Sequence, residues 1–321
     1  MNELFAVLNP IFFLSILVFL GYITEKTQFV SKINEKISKI ITHITLPILV
    51  IVSLSDQDIQ QIPLLDIFIV VISGTGTIFA LLVINYFLGK LLRIPVERQL
   101  IHSFLGSFGN VIFLGYPFIL YLFGEIGLLY AIIFSIVNEL IIWTFGTYLL
   151  NYKSQTNTQK WSIKYLLNPN TISFLIGISM LLLNLHLPAI VHAPLERLGA
   201  ATTPLSMMFI GSILAGVNLR KSIKNLSIWS ICLIKMILIP TIFILGIKIF
   251  FPFFQNVNIT MLSVVALQIA MPSQANLSVL ADRYRSDSEY AAQAIFVTTL
   301  ISLVTLPVLY FFCIYAFSRY M

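Results

Sequence analysis

Apolar runs of about twenty residues recur along this chain, and a helix needs a run of that length to cross a hydrocarbon core about 30 Å thick. Ten segments qualify. Residues 4–23, 37–54, 64–88, 99–123 and 127–150 make up a first half, and 169–187, 195–217, 226–251, 259–281 and 290–317 a second. With 58% hydrophobic and 10% charged residues in 321, the chain has the composition of a polytopic membrane protein and excludes an ordinary soluble domain. The sequence predicts an all-α integral membrane fold of ten transmembrane helices.

The net charge of +6 is a topology signal and not a nucleic-acid surface, because the basic residues fall in short clusters between spans. Fifteen of the 19 lysines and arginines lie in alternate loops. They are Lys26, Lys32, Lys36 and Lys39; Lys90, Arg93 and Arg98; Lys153, Lys160 and Lys164; Arg220, Lys221 and Lys224; and Arg283 and Arg285. The positive-inside rule puts these loops in the cytoplasm and both termini outside it, in a multi-pass plasma-membrane protein. The opening residues MNELFAVLNP lack a basic n-region, so no cleaved leader is expected. Cys232 and Cys313 show no paired or metal-ligand spacing.

Two spans are interrupted where they ought to be continuous. Residues 107–117 read SFGNVIFLGYP and 270–276 read AMPSQAN. Glycine and proline there weaken or delete helical hydrogen bonds. Irregular backbone at membrane depth is tolerated only where protein buries it or a polar cavity solvates it. From Arg98 to Phe108 is roughly 16 Å of helix and from Ile259 to Met271 roughly 19 Å, which places both breaks near the midplane. Trailing half-helices starting near Asn110 and Ser273 would aim free N–H groups and positive dipole ends at an anion.

The halves also correspond. Asn9-Pro and Asn168-Pro, Pro47 and Pro204, and the two breaks recur at offsets of 159, 157 and 162 residues. An inverted repeat leaves such landmarks. The expected organisation is a first five-helix repeat over 1–150, a cytoplasmic connector over 151–165, and an inverted second repeat over 166–321.

Asn110, Gln274 and Asn276 flank the breaks with amides that suit a ligand or freed backbone, and capping alone would also account for them. Glu139 is a carboxylate well inside the fifth span. It reads either as an ion or proton site or as a hydrogen-bonded tie to a neighbouring span. Lys235 in the eighth span can balance an anionic solute or pair with Glu139; a structural role or snorkelling to the interface is the competing reading. Asn138 and Gln268 are weaker candidates. His43 and His102 read as satisfying local helix contacts near the cytoplasmic side. No nucleophile elbow, zinc helix or Walker lysine is present, so neither enzyme, metal nor cofactor is expected.

GNVIFLGYP at 109–117, AMPSQANLSVLADRY at 270–284 and TTLISLVTLP at 298–307 resemble the auxin efflux carrier family, in its bacterial branch of malate- and malonate-permease-like proteins. The likeness covers essentially the whole chain. It implies a scaffold of helices one, two, six and seven, a transport domain of helices three to five and eight to ten, and crossed broken helices four and nine. It implies carrier-type movement of organic anions, with Asn110 contacting substrate and Pro272 as the proline of the second crossover. Gly109 departs from the proline of plant members, and the long cytoplasmic loop of many plant members is here a short connector. A homodimer through the scaffold helices is compatible with this organisation.

The expected function is secondary transport of a small organic carboxylate by alternating access, with Gly109, Asn110, Pro272, Gln274 and Asn276 at the substrate, Glu139 for proton coupling and Lys235 for charge compensation. Two alternatives stay open: a sodium-coupled bile-acid-type symporter, and a non-transporting membrane sensor or scaffold.

Overall fold

The computed structural model describes residues 2–29, 33–57, 63–146, 148–150, 169–216, 222–250, 258–284 and 286–317. The connector expected over 151–165 lies outside them. The described residues are overwhelmingly helical and contain no strand. Helices α1 Asn2–Lys26, α2 Ile33–Ile40, α3 Leu46–Ser55, α4 Leu64–Leu91, α5 Val96–Leu105 and α6 Gly115–Ile141 are followed by α7 Pro169–Leu182, α8 Ala189–Ala200 and α9 Thr202–Ala215. Then come α10 Leu226–Ile231, α11 Ile239–Phe250, α12 Ile259–Ile269, α13 Leu277–Arg283 and α14 Ser288–Phe317.

Among the described residues six helical stretches are long and apolar enough to span a bilayer: Lys36–Ser55, Leu64–Leu91, Gly115–Leu150, Ala189–Ala215, Leu226–Ile249 and Ser288–Phe317. The remaining expected spans are not all uniform rods of that kind. The fourth and ninth are divided into α5 with the start of α6, and α12 with α13. The sixth holds the 14-residue α7. Within α6 the backbone turns at Gly124, with φ 65° and ψ −160°, a conformation that glycine adopts without steric cost. The chain therefore passes from the expected fourth span to the fifth through one glycine turn.

Among the described residues there are three π-helical turns, two of them just before a proline. Ile41–Thr45 precedes Pro47, Cys232–Leu238 precedes Pro240, and Ile142–Gly146 follows α6. A proline has no N–H to donate, and a wider turn before it re-aims the carbonyls it cannot satisfy.

The chain divides into two compact units. One comprises Met1–Phe68, Ile112–Ile136 and Ser162–Gly216; the other comprises Ile69–Val111, Val137–Trp161 and Val217–Met321. In the first, α1 and α9 pack backbone to backbone. A Cβ at Gly211 would lie 1.9 Å from the Val18 carbonyl oxygen, and one at Gly21 2.0 Å from the Met208 carbonyl oxygen. Dispersion between closely approached helices is the main attraction available in lipid, so these two glycines set the interface. Gly211→Ala should destabilise the protein by about 1–3 kcal/mol through forced separation. Gly246→Ala, where a Cβ meets nothing within 4 Å, should be neutral or slightly stabilising. Thermal unfolding of both variants in detergent, side by side, checks the pair.

Candidate functional site

The second unit contains residues 107–111 of the first break and the whole of the second, and these meet. After α5 ends at Leu105 and α12 at Ile269, the two irregular segments cross as a short antiparallel bridge between Gly109 and Ser273. Asn110 donates its N–H to the Pro272 carbonyl at 2.7 Å, and Gln274 donates its N–H to the Phe108 carbonyl at 3.1 Å. The backbones come so near that a Cβ at Gly109 would sit 3.2 Å from Met271 Cβ and 3.4 Å from the Gln268 carbonyl oxygen. Gly109 is thus the point of closest approach.

A helix that stops leaves carbonyls without partners, and in a membrane interior each must find a donor. Here side chains from other spans supply them. Ser273 Oγ donates to the Leu105 carbonyl at 2.7 Å, and Asn85 Nδ2, from the C-terminal third of α4, donates to the Gly106 carbonyl at 3.0 Å. Lys235 Nζ donates to the Phe108 carbonyl at 2.6 Å. On the other strand Ser273 N–H is taken by Thr298 Oγ1 of α14 at 3.1 Å.

These bonds correct one expectation from sequence. The trailing helices begin at Gly115 and Leu277, not near Asn110 and Ser273. The N–H groups of Asn110 and Ser273 are consumed within the crossing, so they are not the free donors foreseen. The chemistry available to a solute is that of side chains.

Lys235 is fully buried, and so does not snorkel; it sits in the π-helical turn Cys232–Leu238. Among the described residues no carboxylate lies within 4.0 Å of its ammonium. Glu139 does not pair with it. Glu139 Oε2 accepts the Trp143 indole N–H at 2.8 Å, and Oε1 accepts Gln274 Nε2 at 2.8 Å and Asn138 Nδ2 at 3.5 Å. Asn138 also reaches Gln274 Oε1 at 3.4 Å. Every one of these donors is an N–H, the set that suits a carboxylate with acceptors only. Glu139 is therefore joined to the crossing through Gln274, and Lys235 through Phe108.

Several buried amide atoms in this region have no protein partner: Asn110 Oδ1, Asn138 Oδ1 and both ends of Gln268. Such atoms are few in folded proteins and call for an explanation. Asn276 stands apart. It is half-buried, its carbonyl accepts the Leu280 N–H at 3.1 Å, and its side chain makes no hydrogen bond to the other candidates.

Other residues escaped the sequence reading. Trp143 lies four residues after Glu139, a helical neighbour spacing that could have been read. Asn85 is a lone amide in an apolar run, a readable signal; Thr298 carries none. Asp66, near the start of α4, is fully buried in the first unit and accepts the Tyr130 hydroxyl at 2.8 Å. His102 is buried and its Nδ1 meets the Tyr290 hydroxyl of α14 at 2.7 Å, a contact between spans and not a local one. His43 keeps the local contact, 3.1 Å from the Lys39 carbonyl.

The family sequence model described as "Membrane transport protein" matches residues 6–310. An uncharacterized transporter of Methanothermobacter thermautotrophicus is 27% identical over 293 residues, covering 91% of this chain and 93% of that protein. One from Methanocaldococcus jannaschii is 26% identical over 302 residues, covering 91% and 94%. Apolar spanning helices, two interrupted segments crossing within one unit, and a family match over nearly the whole length agree: the chain belongs to the auxin efflux carrier family of membrane transport proteins.

Proposed function

We propose that this protein is a secondary carrier that moves a small organic carboxylate across the plasma membrane by alternating access, with the solute held at the crossing. The observation that carries the reading is Lys235: a buried ammonium bonded to a backbone carbonyl, with no carboxylate within 4.0 Å among the described residues. An uncompensated buried charge is costly, and an anion bound beside it removes the cost. The partnerless amide oxygens of Asn110 and Asn138 and the partnerless amide of Gln268 support the same reading. An amide turned about its last torsion offers either N–H or C=O, which serves a carboxylate and a neighbouring hydroxyl alike.

Glu139 gives the carrier a means of coupling. With Glu139 charged and Lys235 charged, the site is neutral overall; a carboxylate adds one negative charge, and a proton on Glu139 restores neutrality. The carrier then moves anion and proton together. The larger organisation in this reading is an inverted five-helix repeat, with a scaffold of spans one, two, six and seven and a moving body around the crossing. In its support, the helices of those four spans fall in one compact unit and the crossing with its partners in the other.

Purified protein in liposomes, given a panel of labelled carboxylates with pH, sodium and voltage varied separately, tests the reading; absence of flux for every carboxylate would count against it. Lys235→Met should raise KM for the transported anion about 10- to 100-fold, the loss expected for one charge-assisted hydrogen bond. Lys235→Arg should recover part of that loss, whereas a purely capping role predicts equal falls in stability with KM unchanged. Glu139→Gln should retain anion exchange and abolish acceleration of uptake by an inward proton gradient, read by stopped-flow with a pH dye inside the vesicle.

A further inference from the structure

On the second unit, away from the crossing, α4 and α5 diverge to leave an apolar cleft of about 350 Å³. Phe79, Val83 and Phe87 of α4, spaced four residues apart, form one wall; Phe104 of α5 and Phe145 form the other. Phe79 and Phe145 close one side edge to face, with ring centroids 5.3 Å apart. Gly146 makes room for the Phe104 ring, whose Cε2 would lie 3.3 Å from a Cβ there. The hydroxyl of Ser103, which also lines the cleft, is already donated to the Leu82 carbonyl at 2.7 Å. Val83 and Phe87 are 54% and 61% exposed, so the cleft opens on the surface that a membrane protein turns to lipid.

The end of the cleft carries a charge. Lys90 Nζ stands 4.6 Å from the Tyr86 ring and 5.8 Å from that of Phe87, both lining residues. Among the described residues no carboxylate lies within 4.0 Å of it. Arg98, on the same side of the span, is by contrast held by Asp287 through its Nε at 2.8 Å. From Phe79 to Phe87 the wall runs about 12 Å along the helix axis, and Lys90 follows within the next turn. An extended apolar slot ending in an unpaired ammonium, with Arg93 in the adjoining loop, matches an acyl chain joined to a phosphate.

We propose that the cleft binds one anionic phospholipid from the leaflet on the Lys90 side, with an acyl chain between Val83 and Phe104 and the phosphate on Lys90. A zwitterionic lipid has the same chain but brings its own ammonium toward Lys90, so the site selects against it. The bound chain would press on Phe104, which packs edge to face on Phe108 at 5.3 Å between centroids. Phe108 supplies the carbonyl that receives Lys235 and Gln274, so the lipid stiffens the crossing from behind.

Native mass spectrometry of the full chain in detergent, titrated with phosphatidylglycerol and phosphatidylcholine of identical acyl composition, tests the proposal. The wild type should hold the first phosphatidylglycerol about fivefold more tightly than phosphatidylcholine, the value of one lysine near a headgroup. Lys90→Glu should erase that preference. Val83→Trp, at an exposed position, should leave thermal unfolding in lipid-free detergent unchanged and weaken both lipids about tenfold, by displacing about two methylenes. Equal affinity for the two lipids, a preference that survives Lys90→Glu, or retention untouched by Val83→Trp would each overturn it. A dimer abolished by Val83→Trp, with no lipid held by the monomer, would assign the cleft to a second copy and also overturn it.

Discussion

A carbonyl released where a helix stops inside hydrocarbon has no water to turn to, and the arrangement around the crossing follows from that constraint. The carbonyls of Leu105, Gly106 and Phe108 are met by Ser273, Asn85, and Lys235 with Gln274. The donors come from three places in the sequence, Asn85, Lys235 and the adjacent pair Ser273 and Gln274, so together with residues 105–108 four segments are fastened at one locus by bonds that cannot be traded for solvent. Lys235 has two parts in the proposed reading. Its ammonium has three N–H donors and spends one on Phe108, so the group that supports the broken helix is also the group an anion would meet.

The acid near the crossing is held with similar economy. Glu139 takes hydrogen bonds from Trp143, Gln274 and Asn138, and Gln274 passes its own N–H to the carbonyl that Lys235 caps. One amide residue thus stands between a half-buried acid and a buried base without letting them pair. A direct ion pair in such surroundings would be strong and inert. Kept apart, each group retains hydrogen-bonding capacity that an ion pair would consume.

Much of this was legible in the residues. Glycine and proline inside apolar runs can be accommodated only where something else satisfies the backbone, and Gly109, Asn110, Pro272 and Gln274 were found on that ground. The direction of the free groups was misread because each break was considered alone. Two segments some 160 residues apart pair with each other and use the N–H groups that either would leave free in isolation. Lys235 was ambiguous because its partner is a backbone carbonyl, and a carbonyl has no signature in residue type. Asp66 was passed over because it stands near the start of a span, where a carboxylate ordinarily reaches water; its burial against Tyr130 depends on a residue 64 positions away. The uniform rods foreseen for several spans gave way to shorter helices joined at glycine, proline and π-helical turns, features that shift hydrogen-bond partners without disturbing hydropathy.

The π-helical turn that carries Lys235 limits how this gene can change. Such a turn holds one residue more than an α-turn over the same stretch, and α10 and α11 continue regularly on either side. Loss of a single codon at 236–238 would remove that extra residue and let α10 and α11 join nearly in phase as one α-helix, with every apolar residue still apolar, yet Lys235 itself would turn about the axis. The ammonium would then lose its aim at the Phe108 carbonyl. In this span the number of residues is under as tight a constraint as their identity, so an in-frame deletion invisible to hydropathy would disconnect the crossing.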